Sequence, residues 1–504
     1  MLDRYSHFSA RARDRLFDLF LQWRYISGLG YERKDEEKRQ DKADADPHVA
    51  IVAPRQGSGA STIAPVPKRG RPEKTSPQSD PGIEPAVEQP LLSSWKPLTR
   101  LAFRFSFVYL GLFCLATQIS GSMIPNLSFY YRGLGRLWPM RDVTVWVAQQ
   151  MFGGRAVDEA AGGEPLFFWV QTFWILIVAV LVTALWSFLD RRREYVTVHG
   201  WFRLAIRFAL AAAMLEYGMT KLIPTQFPPP SLETLVTPVG DLTLSALLWT
   251  SIGASPAYEI FTGCIEVLGA ILLLVPRTTT LGALISFAAM TQVFVLNMTY
   301  DIGLKLISFH LILLAVFLLA PEFSRLTDFF LRDRVPAASR QSALFRTASA
   351  NRAALFAQVA FGLYLIGMYA YINLTFWSVV GARSPRSPLY GIWNVQQISA
   401  EVQDYDRRWR RVIFDAPDVV VIQRTDDSFA HYRAYVDPYG KKIALTKRDS
   451  RNWKADFTFT RPSAEHLIVE GNMDGQKVTA DLRLVEFDTL RVLNSGFRWV
   501  RPQD

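Results

Sequence analysis

Leucine, methionine and every aromatic residue are missing from Glu36–Gln89. A stretch without them cannot bury enough apolar surface to offset the entropy of ordering its backbone. Residues 32–95, rich in Lys, Arg, Asp, Glu, Pro, Ser and Gly, therefore read as a disordered linker. Within it GSGAST (Gly57–Thr62) has a phosphate loop's glycines but lacks its Lys and a following helix, so the linker reading holds. Cysteine is scarce. Cys114 and Cys264 both sit in apolar runs, which excludes a disulfide framework. Lys and Arg are absent from Ile223 to Pro276. No zinc spacing, Ser/His/Asp set, Walker loop, or haem, flavin or iron–sulfur motif is present. The first thirty residues lack the apolar core of a signal peptide, because Arg4, Arg11, Arg13, Asp14, Arg15 and Arg24 interrupt them. Leu16, Phe17, Leu19, Phe20 and Trp23 instead give residues 1–31 the apolar face of a short basic helix. Such a helix lies on an anionic membrane surface or packs on the rest of the protein.

What the chain has in abundance is long apolar runs. A bilayer core needs about 20 apolar helical residues. Residues 96–380 supply seven such spans, at Leu98–Ser120, Pro165–Leu189, Trp201–Leu222, Pro256–Val275, Thr279–Met298, Ile302–Ala320 and Ala353–Leu374. Thr279–Ala320 is too long for one crossing and must turn, with Tyr300–Gly303 the expected place. Basic loops mark the cytoplasmic side of a cell (inner) membrane. The loop Asp190–Tyr195 is basic, as is the one carrying Arg325, Arg332, Arg334, Arg340, Arg346 and Arg352. This orientation puts the N-terminus in the cytoplasm and exports the C-terminal domain. Arg132, Arg136 and Arg141, after the first span, run against it.

From residue 387 to 504 the period changes to two. Trp453, Ala455, Phe457 and Phe459 alternate with Lys454, Asp456, Thr458 and Thr460. Val478, Ala480, Leu482 and Leu484 alternate likewise with polar neighbours. Eight or nine short strands of this kind, separated by DPYGKK, RPSAEH and NMDGQK, predict a small antiparallel all-β barrel or sandwich. The opening Gly391-Ile392-Trp393 resembles the start of lipocalin-type barrels, and the resemblance implies Arg498 as a cap on that Trp. RRWRR (Arg407–Arg411) reads as a strand edge or loop, or a lipid-headgroup contact. TDDS (Thr425–Ser428) reads as a cation-binding loop or as a hairpin turn, and the turn explains it fully. Topology accounts for the net charge of +10, so nucleic acid is not an expected partner; the lipid bilayer is.

Ionisable groups inside spans are costly and mark functional candidates. The third span holds Arg203, Arg207, Glu216 and Lys221, and the fourth Glu259 and Glu266. The fifth holds Gln292 and Asn297; the following turn and sixth span hold Asp301, Lys305 and His310. Glu259 and Glu266 are seven apart and share a face. Asp301 and Lys305 are four apart, in the order that favours a pair, and Asp301 also suits a helix N-terminus. Lys221 and Lys305 either line a site or snorkel to the interface. Glu216, Lys221, Glu259, Glu266, Gln292, Asn297, Asp301, Lys305 and His310 are together compatible with one outward-facing polar pocket. Glu266 and His310 then form its floor as partners at mid-membrane.

Over Trp201–Phe330 the chain resembles the DoxX-like membrane family. The carriers are EYGMTKLIPTQF (Glu216–Phe227), EVLGAILLLVPR (Glu266–Arg277) and NMTYDIGLKLISFHLILLAVFLLAP (Asn297–Pro321). The resemblance implies a four-helix membrane core and, for some relatives, a role as subunits of quinone- or thiol-linked oxidoreductases. It carries no catalytic motif, and whether the chain is an enzyme stays open. Three readings follow: a redox-associated subunit that binds quinone and draws electrons from a redox partner protein, a small-molecule or lipid transporter or binding module with an exported barrel, and a structural membrane organiser.

Overall fold

The computed structural model describes residues 95–124, 133–153, 165–335, 344–380, 384–399, 408–447, 453–494 and 499–500. The basic N-terminal helix, the linker, Arg132, Arg340, Arg407 and Arg498 lie outside the described residues.

The principal helices, in chain order, are α1 (Pro97–Ala116), α2 (Met140–Phe152), α3 (Leu166–Leu189), α4 (Val196–Leu222), α5 (Leu232–Val236) and α6 (Leu244–Gly253). Then come α7 (Pro256–Leu274), α8 (Thr279–Thr299), α9 (Lys305–Leu319), α10 (Phe323–Phe330) and α11 (Ala348–Val380). Seven helices are long and apolar enough to cross a membrane: α1, α3, α4, α7, α8, α9 with its extension through α10, and α11. The chain is a multi-pass membrane protein. The first span ends earlier than Ser120, because Thr117 turns to an extended conformation. The seventh is longer than Ala353–Leu374 at both ends.

Helix α4 is the centre. Leu210, Ala211, Ala212, Met214 and Leu215 are wholly buried, enclosed by α1, α7, α9 and α11. The middle of α4, Phe208–Leu215, is apolar on every side and so belongs in a core, and its small alanines let neighbours approach closely. Helix α1 is tied to the loop after α3 by Arg104. Its guanidinium donates to the Tyr195 hydroxyl at 2.6 and 3.0 Å and to the Asp190 carbonyl at 2.7 Å.

The tail forms a closed barrel, β1 (Gly391–Ser399), β2 (Trp409–Phe414), β3 (Val419–Arg424), β4 (Phe429–Asp437), β5 (Lys442–Thr446), β6 (Lys454–Ser463), β7 (His466–Met473) and β8 (Gln476–Leu484). Each strand pairs antiparallel with the next, and β8 closes onto β1. The expected alternation is present: Trp453, Ala455, Phe457, Phe459, Val478, Ala480 and Leu482 are buried. Eight strands leave an interior just wide enough for side chains to fill, and Trp393, Phe414 and Tyr432 are among those that fill it. The Trp393 indole donates to the Leu389 carbonyl at 2.9 Å, and the Arg461 guanidinium lies 5.6 Å from the centre of its ring.

The outer face of β1–β3 is buried as well. Ile392, Ile413 and Val421 pack on Leu232 of α5. The Leu232 amide donates to the Asp415 carboxylate at 3.0 Å, and His431 meets Glu233 at 3.0 Å. Four crossings, α7, α8, α9 and α11, separate α5 from the barrel in sequence. An even number returns the chain to the side it left, so this contact and the seven-span count agree.

Leu232→Asp puts an unpaired charge into that apolar contact. Hydrogen exchange of the amides from Leu232 to Val236 is expected to quicken at least tenfold while β5–β7 keep their protection. Unchanged exchange at α5 would show that the contact does not hold it.

Candidate functional site

Two glycines bring α4 and α7 together. A Cβ at Gly263 would run into the backbone of Lys221 and Leu222. One at Gly218 would lie 2.9 Å from Val267 Cγ2 and 3.0 Å from Glu266 Cβ. Close backbones of this kind are how membrane helices associate without a hydrophobic driving force. The approach sets Lys221 Nζ 2.8 Å from Glu266 Oε2, with the side chains 9% and 3% exposed. Lys221 Nζ also donates to the Tyr217 carbonyl at 3.3 Å and lies 5.9 Å from the centre of the Tyr217 ring.

The pair forms part of the wall of a cleft of ≈ 70 Å³ between α4, α6, α7, α8 and α9. That is several times the roughly 10–15 Å³ that one water requires. Most of the lining is apolar: Phe227, Leu248, Ile252, Val293, Leu296, Ile307 and Leu311 are all part of it. Trp249 of α6 is another lining residue, and its indole nitrogen is buried without a hydrogen-bond acceptor among the described residues. Tyr258 and Gln292 line the cleft and are themselves exposed, so they stand at its mouth. Glu266 is ten residues into α7, about 15 Å below its start.

Of the nine residues expected in one pocket, Lys221, Glu266, Gln292 and Asn297 line this cleft. Asn297 is spent on structure. Its amide donates to the Leu304 carbonyl at 3.2 Å and to Ser308 Oγ at 3.1 Å, fastening α8 to α9 across the turn. The chain does turn at Tyr300–Gly303, with Asp301 at φ 54°. Asp301 makes no cap on α9; it pairs with Lys305 at 2.6 Å, largely in the open. Glu259 accepts from the Phe227 amide at 3.0 Å, which ties α7 to the chain leaving α4. Glu216 accepts from the Ser122 hydroxyl, and the Tyr369 hydroxyl beside it, 3.5 Å from the carboxylate, donates to the Ser122 carbonyl at 2.7 Å.

His310 is not the partner of Glu266. Its Nε2 lies 2.8 Å from the Tyr109 hydroxyl and its Nδ1 2.7 Å from the Leu306 carbonyl. Its ring stacks on Phe113 with centres 3.5 Å apart. Both nitrogens are engaged by α1 and by its own helix. Tyr109 and Phe113 are four apart on the first span, a spacing that marks one helical face but not which neighbour it meets. Ser122 and Tyr369 carried no sequence signal, since each lies far along the chain from Glu216, and nothing in the pattern around Trp249 marked it as lining a cleft.

Among known proteins, the chain matches the uncharacterized protein YwoB of Bacillus subtilis (strain 168). The two are 33% identical over 135 residues, which is 27% of this chain and 84% of YwoB. No protein-family profile matches the chain. No solved structure matches it.

Removing one partner of a buried ion pair typically costs 3–5 kcal/mol, whereas replacing both with apolar residues is often neutral or stabilising. Lys221→Met alone is therefore expected to lower stability by about 3 kcal/mol or more, and Lys221→Met with Glu266→Leu to recover most of it. Unfolding in a detergent titration measures both. Equal stability of single and double variants would mean that the pair is not buried.

Proposed function

The chain belongs to the family of the Bacillus subtilis protein YwoB. From the cleft we propose that its bundle binds a small amphipathic molecule of the quinone class. In this reading residues 201–330 form a DoxX-like core, and the protein is a redox-associated subunit of a cell membrane. The observation that carries the proposal is the Lys221–Glu266 pair in a cleft otherwise walled by apolar side chains, beside an indole donor that lacks an acceptor. Ligand sites are commonly apolar with a few placed polar groups. A flat ring bearing carbonyl oxygens fits that donor set. Lys221 Nζ donates to one oxygen while Glu266 fixes its direction, and Trp249 Nε1–H donates to another.

A bound quinone would supply acceptance of two electrons and two protons, the electrons coming from a redox partner protein. The chain's own residues hold and orient the ring, and α6 closes over it. The exposed Tyr258 and Gln292 leave the mouth open to an apolar tail. With the basic loops in the cytoplasm, the cleft lies in the outer half of the bilayer and the barrel is exported.

Titrating a short-tailed benzoquinone into the purified full chain in nanodiscs tests this by tryptophan fluorescence. Saturable quenching is expected. Trp249→Phe and Lys221→Met should each weaken binding about tenfold, roughly 1.4 kcal/mol. Binding of a fatty acid in place of the quinone would point to the transporter or lipid-binding reading. Absence of any ligand, with only stability altered by the variants, would leave the structural-organiser reading.

A further inference from the structure

Arg203 and Arg207 have no part in the cleft. They lie on the barrel-distal part of α4, and Arg203 is eighteen residues, about 27 Å, from Lys221. The two are four residues apart, hence on one helical face. Side chains on a helix lean toward its N-terminus, so both guanidiniums reach toward the end of the bundle where α9 passes into α10.

The only carboxylate paired with this cluster among the described residues is Glu322, which is buried. Arg325 takes it closely. Arg203 Nη2 is left 3.7 Å away, beyond hydrogen-bond reach, and is buried without an acceptor. Arg207 is bonded to Gln358 of α11, a neutral group, and its Nε is likewise buried without an acceptor. Arg203 and Arg325 thus share one carboxylate, Arg207 meets only a neutral group, and among the described residues Arg203 and Arg207 each keep a buried N–H with no acceptor. Leaving charged donors unmet in a low-dielectric site is costly, which calls for a further anion.

The surroundings say which anion. Trp201, one turn or less from Arg203, is exposed, as are Phe323, Phe329 and Phe330 of α10. An exposed Trp at a span's end marks the headgroup level, and the exposed Phe side chains beside it suit acyl chains. Basic pockets between spans at that level suit anionic lipid headgroups, and planar guanidiniums suit phosphate oxygens. We propose that Arg203 and Arg207 bind the phosphate of an anionic phospholipid between α4, α10 and α11.

The test uses the purified full chain and native mass spectrometry, titrating phosphatidylglycerol against phosphatidylcholine. Wild type is expected to hold phosphatidylglycerol at least tenfold more tightly. Arg203→Gln with Arg207→Gln should abolish that preference, and Arg332→Gln, which breaks only an exposed pair with Asp328, should retain it. Should the double variant not fold, Arg203→Gln alone must show a reduced preference. Equal binding of the two lipids by wild type would overturn the proposal. So would a preference that survives loss of Arg203 and Arg207. Displacement of the lipid by millimolar inorganic phosphate would make this a free-anion site and overturn the lipid assignment.

Discussion

The Lys221–Glu266 ion pair is the constraint around which the membrane part is arranged. Two opposite charges with little exposure repay their desolvation only at short range and in good geometry. That range is available because α4 and α7 touch at Gly218 and Gly263, where a side chain would push them apart. The pair therefore fixes the register of one helix against the other. Any slip by a residue would turn one charge toward lipid. The cleft follows from the same geometry, since the pair's outer side is met by α6, α8 and α9 rather than by another close-packed helix.

Charged and polar groups elsewhere in the bundle show what happens without a cavity. Glu216 is answered by the Ser122 hydroxyl, with Tyr369 behind it, and His310 by Tyr109 and Phe113. Each joins elements distant in sequence and has its hydrogen bonds made. Polarity inside a span is thus a necessary sign of function but a weak one. The discriminating feature is a polar group that also borders open space. Lys221, Glu266 and Trp249 meet it, whereas Asn297 borders the cleft with its amide already committed to Leu304 and Ser308.

How legible this was in the sequence differs by level. Span number, the turn at Tyr300–Gly303 and the strand-rich tail follow from periodicity, which is a local property. Apolar length sets the crossings, and the alternation through Trp453–Phe459 sets the barrel face. Closure of the barrel was one of two options, because alternation does not tell a barrel from a sandwich. Pairing across the bundle is not local. Helical spacing put Glu266 and His310 at similar depth, but depth does not fix azimuth. The first span, outside the DoxX-like stretch, is what claims His310. Gly218 and Gly263 are the signal for Lys221–Glu266 that the spacing argument passed over, since small residues mark where backbones meet. Trp249 lies in a loop helix with no periodic signal pointing inward.

The barrel's part in this arrangement follows from what fills it. Its interior is occupied by Trp393, Phe414, Tyr432 and their neighbours, so its usable surface is outside, where it grips α5. Helix α5 leads into α6 through a short link containing Pro238, and each helix starts at a side-chain cap, Ser231 for α5 and Thr243 for α6. Leu248, Trp249 and Ile252 of α6 line the cleft. A barrel that holds α5 in place therefore also limits where α6 can go. The closed barrel steadies the covering of a membrane cleft that it does not itself touch.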